Sequence, residues 1–167
     1  MTLEYPVAEN EGEEDNTYLS YNMVVGNAAD SQMAMAFEVL DYALLSAPGA
    51  PLKQALLDVK AGKDVYGSYD DGILQPSFTV IAKGSNPDRK EEFVSVIRQV
   101  LGDIVKNGID RKAVEAGINY FEFRYREADF SSYPKGLMYS LDILGDWLYE
   151  KGNPFAQVQQ LLSLIHI

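Results

Sequence analysis

The apolar residues of this chain change their spacing at Gly26, and that change narrows the folds open to it. Before it, Leu19, Tyr21, Met23 and Val25 alternate with Tyr18, Ser20, Asn22 and Val24, the period of two that marks a half-buried strand. After it, Met33, Phe37, Leu40 and Leu44 recur at helical spacing behind Asp30, a suitable cap, so one amphipathic helix is expected over 31–46. Ala47-Pro48-Gly49-Ala50-Pro51 interrupts it, and a shorter helix is expected over 52–61. Two β-like runs follow at 64–69 and 75–82, joined through Asp70-Asp71-Gly72 like a hairpin with a slightly enlarged loop. Asn86-Pro87 opens a helix with the stripe Phe93, Ile97, Leu101 and Ile104. Asp110 caps another, striped by Val114, Ile118, Phe121 and Tyr125, and Pro134 begins a third with Leu137, Leu141, Leu144 and Leu148 on one face. Helical character resumes at 155–162, after Gly152-Asn153-Pro154.

The order β-α-α-β-β-α-α-α predicts an α+β fold, a small mixed sheet with helices packed on one face, plus a trailing helix. Three strands are few for so many helices, so further strands or neighbouring domains are expected. Residues 1–16 carry six acidic side chains and no basic one, the composition of a solvated lead-in or linker. They contain no apolar core of a secretory signal, and no apolar run in the chain approaches the ~20 residues of a membrane-spanning helix.

Composition restricts function more sharply than fold. With 47% hydrophobic and 11% aromatic residues the chain is expected to fold, and its net charge of -11 disfavours nucleic acid, whose phosphates need clustered Lys and Arg. There is no cysteine, so disulfides, thiolate nucleophiles and Cys-ligated metals are excluded, and a cytoplasmic location is expected. The single histidine, His166, is the second-to-last residue, which leaves neither a His-based triad nor a multi-histidine metal site.

The remaining polar groupings each have an ordinary structural account. Asp70-Asp71-Gly72 reads as turn chemistry before it reads as a cation loop. In Asn119–Arg126, Arg124 lies one helical turn from Tyr120, and Arg126 one turn from Glu122, the spacing of a solvated polar face. Glu127, Asp129, Tyr133 and Lys135 suit capping and interhelix hydrogen bonds. Tyr66-Gly67-Ser68-Tyr69 suits either edge addition of an extended peptide or a close backbone approach at Gly67.

Three stretches carry a resemblance: Thr17-Tyr18-Leu19-Ser20-Tyr21-Asn22, then Gly67-Ser68-Tyr69-Asp70-Asp71-Gly72, then Arg126-Glu127-Ala128-Asp129-Phe130 with Tyr133-Pro134-Lys135-Gly136-Leu137-Met138-Tyr139. Together they resemble the insulinase-type zinc metallopeptidases, most closely the presequence-protease subgroup. The resemblance covers residues 5–160 and implies the second, non-catalytic domain of such an enzyme, running into the helical linker between its halves. On that reading residues 1–16 are a lead-in, 17–130 the α/β domain, and 131–161 the start of the linker. Residues 162–167 resemble the translated end of a sequencing adapter.

The family's inverted zinc motif, His-x-x-Glu-His, belongs to its first domain, and the Arg/Tyr pair that binds substrate belongs to its last. No catalytic residue and no metal ligand is therefore carried onto this chain. The resemblance implies a wall of the closed chamber in which the whole enzyme cuts peptides, with zinc held elsewhere in that enzyme and its remaining domains as partners. Tyr66, Tyr69, Arg124 and Arg126 are the candidate peptide-contacting or chamber-facing residues. A stand-alone binding or assembly module of the same fold is the alternative. Neither nucleic acid nor membrane is expected as a partner, and the last leucine stripe suggests weak self-association.

Overall fold

The alternation at the start of the chain becomes strand β1, Thr17–Val24. In the computed structural model, which describes residues 1–7, 12, 14–28, 30–127, 132–149, 153 and 155, β1 is followed by helix α1 (Ser31–Asp41) and helix α2 (Pro51–Asp58). Strands β2 (Asp64–Asp70) and β3 (Ser77–Ser85) come next, then helices α3 (Lys90–Asn107), α4 (Arg111–Glu127) and α5 (Lys135–Tyr149). This is the element order and the α+β layering expected from the sequence.

The strand order is β1-β3-β2, and both ladders are antiparallel. β2 and β3 form the expected hairpin, and β3 then inserts beside β1. The co-directional strands β1 and β2 are thus held one strand apart, so the described sheet has no parallel pair. The register stacks three rows of inward side chains across it: Leu19–Ala82–Val65, Tyr21–Val80–Gly67 and Met23–Phe78–Tyr69. Leu44, Leu45, Leu52, Leu56, Phe93 and Ile97 close over these rows from the helices and complete the core.

The helix expected over 31–46 is not uniform. Asp30 caps α1 as predicted, its carboxylate accepting from the Met33 amide at 3.0 Å. After Asp41 the backbone widens into a π-turn over Tyr42–Ser46, closed by the Ala47 amide on the Tyr42 carbonyl at 2.7 Å. The wider turn advances each residue through a smaller angle than an α-helix, and three consecutive side chains, Ala43, Leu44 and Leu45, are buried together. A periodicity of 3.6 cannot signal that arrangement. Pro51 then starts α2 at its first turn, where the missing N–H costs nothing, and Leu52 and Leu56 fall on one buried face.

The acidic lead-in is attached to the domain near its end. The Asp15 amide donates to Asn86 Oδ1 at 2.9 Å, and Asn86 Nδ2 donates back to Asp15 Oδ1 at 2.8 Å. Lys63 Nζ lies 3.3 Å from the other Asp15 oxygen. Tyr5 turns back toward the start of β1, its hydroxyl donating to the Asn16 carbonyl and its ring meeting Tyr18 edge-on at 6.0 Å. The tail at 162–167 lies outside the described residues.

Leu56 is fully buried whereas Val105, on α3, is 85% exposed. Leu56→Ala is expected to cost about 3 kcal/mol, because the cavity cannot collapse between α2 and the sheet, and Val105→Ala to change stability by less than ~0.5 kcal/mol. Urea unfolding midpoints at constant slope provide the measurement.

Candidate functional site

The pleat that buries one face of the sheet leaves the other bare. Opposite the helices stand Tyr18, Ser20 and Asn22 from β1, Tyr66 and Ser68 from β2, and Thr79, Ile81 and Lys83 from β3. The register aligns Asn22–Thr79–Ser68 and Ser20–Ile81–Tyr66. Asn22 Oδ1 accepts from Thr79 Oγ1 at 2.9 Å and from Ser20 Oγ at 3.1 Å, which fixes the orientation of its amide. Lys83 Nζ sits 5.9 Å from the centre of the Tyr18 ring. This face offers aromatic edges, hydroxyls and one amide, groups that can hydrogen-bond and pack against a polypeptide. It pairs no nucleophile with a base.

The residues singled out from the sequence do not share one surface. Tyr66 is exposed on this outer face. Tyr69, three residues on and so of opposite alternation, points into the helix layer and stacks on Phe37 with ring centres 5.6 Å apart. Burial, reinforced by the negative charges of Asp71, Glu38, Asp30 and Asp70, pushes its hydroxyl up to about 12, so Tyr69 stays a neutral phenol. Arg124 is exposed on α4, which packs over α1 and the π-turn, on the helix side of the sheet. Arg126 lies in the same helix, and its side chain is outside what the structure describes.

α4 also departs from its expected stripe. Val114 and Phe121 are half-buried as expected, but Ile118 is exposed and its neighbour Gly117 is buried. A Cβ on Gly117 would meet Val39 Cγ1 at 3.1 Å, and Tyr120 stacks on Tyr42 at 4.7 Å. The helix therefore seats itself through a glycine and an aromatic pair, contacts that a count of apolar residues misses. At the following junction Lys135 Nζ donates to the Glu127 carbonyl at 2.9 Å, a helix-end contact of the kind expected there, whereas Asp129 is outside the described residues. The Gly72 amide donates to Asp70 Oδ1 at 3.0 Å, as a turn role for that acidic pair predicts.

Asp41, a carboxyl that burial perturbs, is not among the residues singled out from the sequence. It ends α1 where the π-turn begins, and its Oδ1 is shielded from solvent with no hydrogen-bond partner. It lies against β2 at Gly67, where a Cβ would come within 2.0 Å of Oδ1 and 2.5 Å of Leu45 Cδ1. The signal was present in the glycine, since a strand glycine marks close approach. Burial raises the Asp41 pKa, and a hydrogen bond from Ser46 opposes the rise.

None of this fits a zinc site. The sequence has no cysteine and one histidine, and among the described residues no three His, Cys, Asp or Glu side chains are grouped to hold a metal. No helix is long and apolar enough to cross a membrane, again among the described residues.

Residues 2–121 match the family model described as the peptidase M16 inactive domain, and the chain belongs to that family. It is 43% identical over 155 residues to protein HypA of Clostridium perfringens, a match covering 93% of this chain and 16% of that protein. It is 32% identical over 131 residues to the chloroplastic and mitochondrial presequence protease 1 of Arabidopsis thaliana, covering 78% of this chain and 12% of that one. The chain thus spans less than a fifth of the length of these relatives. Among solved structures, the inactive peptidase domain of a candidate zinc protease from Bordetella parapertussis superposes with a TM-score of 0.70 at 13% identity, covering 89% of this chain and 78% of that domain. That likeness is one of fold.

A raised carboxyl pKa means that the native state holds its proton to higher pH than the unfolded chain, so Asp41 weakens the fold as pH rises from about 3.8 through its folded value. Asp41→Asn is expected to raise the melting temperature at pH 7 and to leave it unchanged near pH 3. Calorimetry of both proteins across that range provides the check.

Proposed function

We propose that this chain serves as a non-catalytic domain of a longer M16 zinc metallopeptidase and contributes part of the wall of its peptide-degrading chamber. The observation that carries the proposal is the match of residues 2–121 to the inactive domain, in a chain with no cysteine and a single histidine. On this reading zinc and the general base sit on residues of the longer enzyme outside this chain. What these residues supply is a rigid surface.

The outer sheet face is the part of that surface suited to a peptide. Tyr66, Ile81 and Tyr18 provide aromatic and apolar contact, and Asn22, Ser68 and Thr79 provide hydrogen-bonding groups without fixed charge. Such a surface accepts many sequences, because it meets backbone and side chains through adaptable contacts. Tyr69 and Arg124, on the helix side, serve the packing and the far surface of the domain.

Two measurements test this. The chain alone is expected to carry no stoichiometric zinc and to leave fluorogenic peptides uncut, and chelator-sensitive turnover with one zinc per chain overturns the reading. In the longer enzyme, Tyr66→Ala is expected to raise KM for an extended peptide by about threefold with kcat little changed, the mark of lost uniform binding. An unchanged KM would remove the outer face from the peptide path.

A further inference from the structure

One corner of the outer sheet face already holds a side chain from the lead-in. Tyr5 reaches a carbonyl eleven residues further along, its hydroxyl donating to Asn16 at the start of β1. Its ring meets the Tyr18 ring edge-on, with centres 6.0 Å apart and planes at 69°, an arrangement that the aromatic quadrupole favours. Lys83 Nζ lies 5.9 Å from the centre of the same Tyr18 ring. The fold-back is pinned from behind. Asn16 Nδ2 donates to the Gly12 carbonyl, and Asp15, with a left-handed φ of 59°, is held by Asn86 and Lys63.

We infer that this corner is a seat for a tyrosine side chain, filled by the chain's own Tyr5, and that an extended peptide on the outer face displaces Tyr5 and seats a tyrosine of its own. Two features select a phenol. The ring contact needs an aromatic side chain, and the Asn16 carbonyl needs a donor at the far end of that ring, which phenylalanine and leucine lack. The seat lies on the surface proposed for a peptide, because Tyr18 stands on the same face as Tyr66 and Ile81. The displacement rests on that peptide reading, whereas the seating of Tyr5 does not.

The contact is able to yield. Tyr5 is 50% exposed and Tyr18 47%, so each keeps about half of its surface in water. A contact this open is weak by itself, and it persists because the tether holds Tyr5 at an effective concentration on the order of millimolar. A peptide that touches several outer-face side chains at once gains more than one ring contact and overcomes that competition. A lone phenol well below that concentration does not.

In the full chain, nuclear Overhauser contacts between the Tyr5 and Tyr18 rings are expected. Tyr5→Ala is expected to shift the Tyr18 ring and Lys83 Nζ signals, with the melting temperature unchanged within about 2 °C. The probe is a blocked seven-residue serine/threonine peptide with one central tyrosine, titrated while those signals are followed. It is expected to bind the Tyr5→Ala chain about fivefold more tightly than the native chain, whereas its leucine counterpart binds both alike. Tyr5→Phe, which keeps the ring and removes the donor, is expected to fall between and gives the same comparison without emptying the corner. Absence of the ring contacts in the native chain overturns the inference. So does equal affinity of the tyrosine peptide for native and Tyr5→Ala chains, or equal affinity of the two peptides for Tyr5→Ala. A tyrosine peptide that binds neither chain overturns it too. The peptide reading of the outer face is judged apart from these outcomes, by the KM of Tyr66→Ala in the longer enzyme.

Discussion

Val80 stands at the centre of the domain, in the middle row of the middle strand, fully buried with Tyr21 on one side and Gly67 on the other. The structure depends on that placement. A three-stranded sheet is too small to protect two faces, and only one can be covered by the helices that the chain supplies. Once β3 occupies the middle, the period of two in each strand assigns every strand residue to the core or to the open face. A slip of one residue would carry Phe78, Val80 and Ala82 into water and bring Thr79, Ile81 and Lys83 under the helices.

The helix layer adjusts to the sheet. At Gly67 the strand gives up a side chain so that α1 and the π-turn can lie close, and the space is filled by Leu45 and the Asp41 carboxyl. An apolar residue of similar volume at position 41 would avoid the desolvation of a carboxylate, so this acid weakens the fold that contains it. The same economy of space recurs at Gly117, where α4 closes on Val39. Small residues let the second layer of helices approach the first, and large ones fill the layer nearest the sheet.

One covered face and one open face is a division suited to a domain that lends its surface to a larger assembly. Membership in the M16 inactive-domain family agrees with that. The open sheet face and the open stripe of α5 are different in kind. The first is polar and aromatic and belongs to the sheet, whereas the second is aliphatic and belongs to the last described helix.

Much of this was legible in the amino-acid sequence because it rests on local chemistry. The alternation from Tyr18 to Val25, the Asp30 and Asp110 caps and the Asp70–Gly72 turn all act within a few residues and stand where the sequence puts them, whereas Pro87 opens a single 3-10 turn, Pro87–Arg89, ahead of α3. The absence of cysteine and the single histidine are equally legible in the sequence, and they leave no multi-histidine or Cys-ligated site to build from it. The sequence could not decide which strands become neighbours, because strand pairing is chosen among non-local alternatives of similar local cost. That choice placed β3 between β1 and β2, sent Tyr66 and Tyr69 to opposite faces of one strand, widened α1 into a π-turn and buried Asp41 against Gly67. The leucines of α5 stand exposed, and a helical stripe by itself says only that a face is apolar, because what lies against it is a matter of tertiary packing.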